Sequence, residues 1–364
     1  MGYSGARRSE PDAEFDAIFQ FFAKGQRVLP GQVRRVRPSG RPLGEMRTAG
    51  VTDFGQLVPL SVVIPTFGRD QVLTDTISQF LAQVPAATEI LVIDQTPLHE
   101  PATESRLTEW NRSGSIRWIR LSTPSQPMAM NRGLLEARCP IVLFVDDDIR
   151  IDTDFVAGHF QYAGDSGVGA VIGQILQPGE KPLEGYEHVP QDGPFADFDF
   201  PFRSATPAWI RNGMSGNMSV KRGYALAIGG FDENFLAPVS YRFDSDFCAR
   251  LVGFGKRIRF DPRPKIDHLR AERGGTRTLG SHLTSPSPMH GIGDYYYALR
   301  RGASLATLGY LCRRPFREVL TRFHFRHPWW IPVKVFGELR ALCLAVGLYW
   351  RGPKTLNSAD HGNS

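Results

Sequence analysis

Between residues 58 and 145 the chain alternates short apolar runs with amphipathic stretches, and few architectures accept that order. VPLSVVIP (58–65), TEILVID (88–94) and IVLFV (141–145) are near-continuous apolar runs of strand length. Such runs read as strands buried on both faces. RDQVLTDTISQFLAQ (69–83) carries Leu73, Ile77, Phe80 and Leu81 on one side and reads as a helix, as does MNRGLLEARC (130–139). SIRWIRL (115–121) is a shorter, alternating strand. Strands interleaved with helices predict an α/β fold with a mostly parallel sheet and helices on both faces. Ligands of such sheets bind beyond the carboxyl ends of the strands. Pro65 to Arg69, Asp94 and Asp146 to Asp148 all fall at such ends, so one crevice is expected to collect them.

The run IVLFV ends in three consecutive carboxylates, Asp146, Asp147 and Asp148. Like charges this close repel unless a cation sits among them. A divalent metal with a taste for oxygen ligands, Mg2+ or Mn2+, is the obvious one. A solvated acidic turn capping a helix is the bland alternative.

The second half is less regular. Residues 177–206 form a long segment rich in Pro, Gly and aromatics, including Phe195, Phe198, Phe200 and Phe202. A loop this long is usually functional or mobile; its rings serve either to pin it down or to stack on a sugar. SYRFDSDFCARLVGFG (240–255) reads as a helix opened by acids and stopped by glycines, and KRIRFDP (256–262) as a strand. Helix-like segments dominate from 303 onward, interrupted by Pro315, Pro328 and Pro332. At the other end, residues 11–24 read as a short amphipathic helix and 25–57 as an arm rich in Gly, Pro and Arg.

Composition narrows the class. With 364 residues, 41% hydrophobic and 22% charged, the chain can build a large core without staples. Cys139, Cys248, Cys312 and Cys343 form no CxxC pair and read as reduced, mostly buried thiols. The net charge of +6 is uneven. Arginines crowd the first 48 residues, and a second series runs from Arg300 and Arg301 through Arg313, Arg314, Arg317, Arg322 and Arg326. Anionic membrane, phosphorylated substrate or nucleic acid could each answer that charge, but no nucleic-acid module is recognisable. No secretory leader is evident, and the most apolar stretch, 341–350, is half the ~20 residues a spanning helix needs. A cytoplasmic protein is expected, with peripheral contact to the inner face of the cell membrane through its tail as one reading of residues 303–350. There Trp329, Trp330 and Trp350 mingle with arginines.

Four blocks in order resemble the inverting family 2 glycosyltransferases of GT-A fold: SVVIPTFGRD (61–70), EILVIDQT (89–96), MNRGLLEARCPIVLFVDDD (130–148), and GNMSVKR (216–222) with GGFDENF (229–235) and FDSDFCARL (243–251). The resemblance covers a GT-A catalytic domain (58–275); the residue patterns on either side add an N-terminal helix and arm (1–57), a C-terminal helical region open to membrane contact (276–350) and a disordered tail (351–364). The resemblance implies transfer of a sugar from a nucleotide donor, a UDP-sugar above all, to a hydroxyl on a carbohydrate or lipid-linked acceptor. Polysaccharide or glycoconjugate assembly would be the setting. Pro65, Thr66, Arg69, Asp94, Asn131 and Asp146 would contact the nucleotide. Asp148, with Asp146 and His268, would hold Mn2+ or Mg2+, which stabilises the leaving diphosphate as a Lewis acid. Asp244 would be the general base, with Asp246 second in line. Arg270, Arg273 and Arg277 would form a basic loop over the diphosphate. Two departures stand out: Met130 where the family commonly has arginine, and Phe243 where it has glutamate. Two other readings compete. A sugar-nucleotide pyrophosphorylase would need a glycine-rich, lysine-bearing loop that IPTFGRD lacks; a degenerate, scaffolding transferase would have no use for Asp148, Asp244 and His268.

Overall fold

The computed structural model describes residues 57–235, 241–271, 273–275 and 281–358. The expected N-terminal helix at 11–24, the arm up to residue 56, Arg277 and the last six residues lie outside the described residues.

Among the described residues, nine strands form one sheet. β1 (Val58–Thr66), β2 (Ala87–Asp94), β3 (Arg117–Arg120) and β4 (Ile141–Val145) pair in the order β3-β2-β1-β4, all parallel. The helices between them are α1 (Gln71–Leu81), α2 (Pro101–Ser113) and α3 (Gln126–Glu136). This half follows the expectation closely. α3 starts four residues before the predicted position, because Pro127 suits a first helical turn, where its missing N–H costs nothing.

Beyond β4 the sheet becomes mixed. It continues through β8 (Asn217–Lys221), β6 (Val168–Leu176), β9 (Arg257–His268) and β5 (Ile149–Ile151), with β7 (Ala208–Ile210) also on β9. β8 is antiparallel to both β4 and β6, β5 and β7 are antiparallel to β9, and only β6 with β9 is parallel. The sheet expected to be mostly parallel is parallel in its first half and in that one later pair, and antiparallel elsewhere. β9 is also longer than the predicted 256–262. Pro262 and Pro264 suggest an end there, but the ladder absorbs them in a bulge: Gly173 faces Asp261, while the next residue, Gln174, faces Lys265. Gly173 is needed, since a Cβ there would lie 2.0 Å from the Pro264 carbonyl oxygen.

Strand residues alternate between two cores, as a pleated sheet covered on both faces requires. Leu60, Val62 and Ile64 pack with Leu73, Ile77 and Phe80 of α1. Val63, Val142 and Phe144 face the other way, towards Met130 and Leu134 of α3. Gly133 lets α3 settle on β1; a Cβ there would come within 2.4 Å of Val63. The second core extends over α5 (Arg222–Ala227), α6 (Phe243–Gly253) and α7 (Ile292–Arg300) to α10 (Trp330–Arg351). Short α4 (Phe155–Phe160) closes the first core; α8 (Leu305–Val319) and α9 (Arg322–Arg326) complete the C-terminal helical layer. Cys139 and Cys248 are buried as expected, but Cys312 and Cys343 are exposed. Residues 352–358, read from sequence as part of a disordered tail, are tied down: Glu233 N–H donates to the Lys354 carbonyl (2.8 Å) and Leu356 N–H to that of Gly229 (2.8 Å).

Candidate active site

β1 has β2 on one side and β4 on the other, the arrangement that opens a crevice at the strands' carboxyl ends. A cleft of about 290 Å3 lies there, lined by Pro65 and Thr66 at the end of β1, by Phe67 and Arg69 just beyond it and by Asp146, Asp147 and Asp148 after β4. His268 reaches it because β5 and β9 run antiparallel with Ile149 opposite His268, which sets the last residue of β9 beside the acid triplet. Leu269 N–H closes the corner onto the Asp148 carbonyl (2.8 Å).

The acids are not equivalent. Asp146 keeps part of its carboxylate open to the cleft, and Gly216 leaves room for it: a Cβ on Gly216 would sit 2.2 Å from the Asp146 carboxylate. Asp147 turns inward, accepts from the Thr66 hydroxyl (2.6 Å) and pairs with Arg69 (3.3 Å). Burial pushes its carboxyl up to about 7, against the pull of Arg69 and the Thr66 hydrogen bond. Asp148 is buried, accepting from Arg69 (3.2 Å) and from Ala271 N–H (2.8 Å). Arg69 also donates to the carbonyls of Ala271 and Arg273. It therefore clasps the segment after β9 to the acids, and its guanidinium is already engaged rather than free for a nucleotide.

His268 Nε2 stands 3.5 Å from Asp146 and 3.3 Å from Asp148, while its Nδ1 accepts from Arg270 N–H (3.2 Å). That backbone bond puts the ring proton on Nε2, between the two carboxylates. Among the described residues no three such groups are already set at metal-binding geometry. Two carboxylates and the imidazole converge where positive charge is wanted, but Nε2 becomes a donor to a divalent cation only when its proton shifts to Nδ1 and the bond from Arg270 N–H is given up. The segment carrying Arg270 and Arg273 packs tightly on the turn after β1. Gly274 touches Gly68 so closely that a Cβ on it would lie 2.3 Å from the Gly68 carbonyl oxygen.

Asp244 lies in the first turn of α6 and lines the same cleft from the opposite wall. Ser245 N–H donates to it (2.8 Å), yet burial wins and raises its carboxyl to about 6. Just before it, Arg242 adopts φ +72, a strained left-handed conformation for a long side chain. Its guanidinium is locked by Asp294 (2.8 Å) and lies 3.9 Å over the Phe198 ring. Asp244, Arg242, Tyr241 and Met214 also line a second cavity of about 410 Å3. That cavity is walled by Phe198, Phe202, Asn212, His282 and His290 and closed by Arg314 and Arg317. Two buried atoms aimed at no protein partner, Asn212 Oδ1 and His290 Nε2, belong to residues lining it. Asp244 thus stands where the two spaces meet.

Three sequence expectations do not reach the cleft. Asp94 is fully buried with its carboxylate taken by Thr96 N–H (2.8 Å), the Trp118 indole (2.9 Å) and His99 (2.8 Å). Asn131 holds the 229–235 turn instead, accepting from Phe231 N–H (2.7 Å) and donating to its carbonyl and to Glu233. Asp246 points into the helical layer and is held by Arg250 (2.7 Å), Arg300 (3.1 Å) and Arg301 (2.8 Å); despite burial, these cations keep its carboxyl below the usual range. A carboxylate so engaged is a poor proton acceptor. The aromatic loop is mostly a pin: Phe195 stacks on Tyr310 (4.4 Å) and Phe200 meets Phe260 edge-on (4.9 Å). Gln95, Ser125, Gln126, Gly216 and Arg242 line the cleft without having been singled out. Gln95, inside the EILVIDQT block, and Gly216, inside GNMSVKR, carried a readable signal.

Residues 61–225 match the model of glycosyl transferase family 2. Solved structures that resemble the chain include the mannosyltransferase PcManGT from Pyrobaculum calidifontis in complex with GDP-Man and Mn2+ (17% identity, 81% of this chain and 79% of that one, TM-score 0.47). S. aureus TarS 1-349 in complex with UDP-GlcNAc is similar at 14% identity over 80% of this chain and 92% of that one (TM-score 0.49). GalNAc-T7 with UDP, GalNAc and Mn2+ is similar at 14% identity over 70% and 54% (TM-score 0.46). No curated protein matches the chain.

Proposed function

The chain carries a glycosyltransferase family 2 domain in residues 61–225, has the mixed α/β fold of the GT-A class and is a glycosyltransferase; from that premise we propose an inverting, metal-assisted transfer of a sugar from a nucleotide donor to a hydroxyl. The observation that carries the reading is the position of Asp244 between two adjoining cavities, one lined by the acid triplet and His268. The first cavity takes the donor, a UDP-sugar in this proposal. Thr66, Gln95 and Ser125 stand along the β-strand ends where the nucleotide would lie. Asp146, Asp148 and His268 would hold Mn2+ or Mg2+. Bound there, the ion would neutralise the charge that develops on the leaving diphosphate.

The second cavity takes the acceptor. Its aromatic wall and its two orphaned polar atoms suit a sugar ring, which offers an apolar face and hydroxyls. A carbohydrate or lipid-linked glycan of a polysaccharide or glycoconjugate pathway is the proposed acceptor. Asp244 would accept the proton of its attacking hydroxyl, on the side opposite the leaving group, so that the anomeric centre inverts. A carboxyl raised to about 6 stays ionised at neutral pH yet is more basic than an ordinary aspartate. Arg242, locked onto Asp294, fixes the start of α6 and with it the base.

A scaffold without activity would have no reason to keep this base facing an acid pincer across a cleft. Thermal-shift screening of nucleotide-sugars with and without Mn2+, followed by turnover of the stabilising donor, tests the reading. Stabilisation by one nucleotide-sugar only with metal, and its consumption, are expected; no response to any donor would count against it.

A further inference from the structure

The C-terminal helical layer buries charged side chains beside its apolar contacts and turns large apolar ones outward. In α8 the buried positions include Thr307 and Arg314, whereas Leu305, Leu308, Cys312 and Phe316, spaced three or four residues apart, form one stripe that faces solvent, with Leu320 just beyond. Leu305 is 89% exposed. In α10 Lys334 and Glu338 are buried beside Ala341, Ala345 and Leu348, while Phe336, Leu339 and Leu344 face out. Phe325, Trp329 and Trp350 are also exposed. The polar sides are spent internally. Arg314 pairs with Asp294 (2.6 Å) and Glu338 (3.1 Å), and Lys334 pairs with Glu338 (3.0 Å) and Glu318 (3.6 Å). A helix layer meant only for water or only for packing would turn those sides the other way.

The charges are sorted as well. Glu318 and Glu338 are the only acids between residues 303 and 351. Both are drawn into that internal network. Among the described residues of this segment, Arg313, Arg317, Arg322, Arg326, Arg340 and Arg351 are all exposed. The outer surface is therefore apolar and aromatic, studded with arginine and free of carboxylates in exposed positions.

We propose that this layer docks the protein onto an anionic lipid surface, lying along the interface. Leucine and aromatic side chains would enter the headgroup boundary while arginines meet lipid phosphates. No described helix is long and apolar enough to cross a membrane; α10 carries Lys334, Glu338 and Arg340 within its length, so it rests on the bilayer rather than spanning it. A second copy is a poor occupant: a two-fold interface sets this face against itself, arginine against arginine, with no exposed acid in the segment to answer them.

The test is co-sedimentation of the full chain with phosphatidylcholine vesicles, with and without phosphatidylglycerol, at low and high salt. It needs neither donor nor metal, so it stands or falls apart from sugar transfer. Binding is expected to the phosphatidylglycerol vesicles, weakened but not abolished by salt. Arg322→Ala with Arg326→Ala should lose about 25-fold in partitioning, about five-fold per arginine. Leu308→Glu with Phe316→Glu should abolish binding at both salts while the melting temperature holds, since both residues are exposed. Failure of the full chain to bind, or unchanged binding by both variants, would overturn the proposal. So would a solution dimer that Leu308→Glu with Phe316→Glu dissolves, or retention of vesicle binding only through an added acidic protein.

Discussion

At the residue scale, two aspartates two positions apart have opposite fates. Asp244 and Asp246 are about 200° apart around a helix, so one faces the cleft and the other the helical layer. Burial raises Asp244 to about 6. A carboxyl whose folded pKa is raised stabilises the protein fully below its unfolded value, near ~4, and that contribution is lost as pH rises through about 6. Asp244→Asn stays neutral throughout. Its melting temperature relative to the parent should therefore be higher at pH 8 than at pH 4; thermal melts at the two values check this, and a difference independent of pH would show that ionising Asp244 costs the fold nothing. Asp246→Asn leaves three arginines without their buried counter-charge and should cost about 3–5 kcal/mol in denaturant unfolding. Gly216→Ala drives a methyl towards the Asp146 carboxylate. Metal-dependent turnover should fall by roughly 10²-fold, the rate penalty of a misplacement near 1 Å; unchanged turnover in Mn2+ would separate Asp146 from the metal.

At the element scale, the parallel half was legible because each buried strand is an unbroken apolar run flanked by an amphipathic helix. The mixed half was not. β6 is buried along its whole length, Gln174 included, but has no helix periodicity beside it to mark it as a crossover partner, and β9 hides two prolines in a bulge. Gly173→Ala would force that bulge apart and should destabilise the protein by ~1–3 kcal/mol, read by denaturant melts. Site residues followed the same logic. Thr66, Asp146, Asp148, His268 and Asp244 were readable as strand ends or a helix start. Asp94 looked alike, but its partners Trp118 and His99 come from the next strand and loop, and sequence spacing does not reveal that they saturate it. Asn131 was misread for the same reason, its partners lying about a hundred residues away.

At the scale of the whole molecule, the C-terminal helices serve two surfaces at once. Their buried Arg314 lines the second cavity with Arg317 at its exposed rim, and their outer residues form the apolar, arginine-rich face. A lipid-linked acceptor would meet both, its glycan entering the cavity and its lipid staying in the bilayer. The parts converge on Asp244, which lines both cavities, where donor and acceptor are proposed to meet. The most direct measurement is the turnover number and donor affinity of Asp244→Asn, a nearly isosteric change, with the donor found by thermal shift. The account predicts unchanged donor affinity with a turnover loss of at least ~10². Turnover at the parent rate would contradict it.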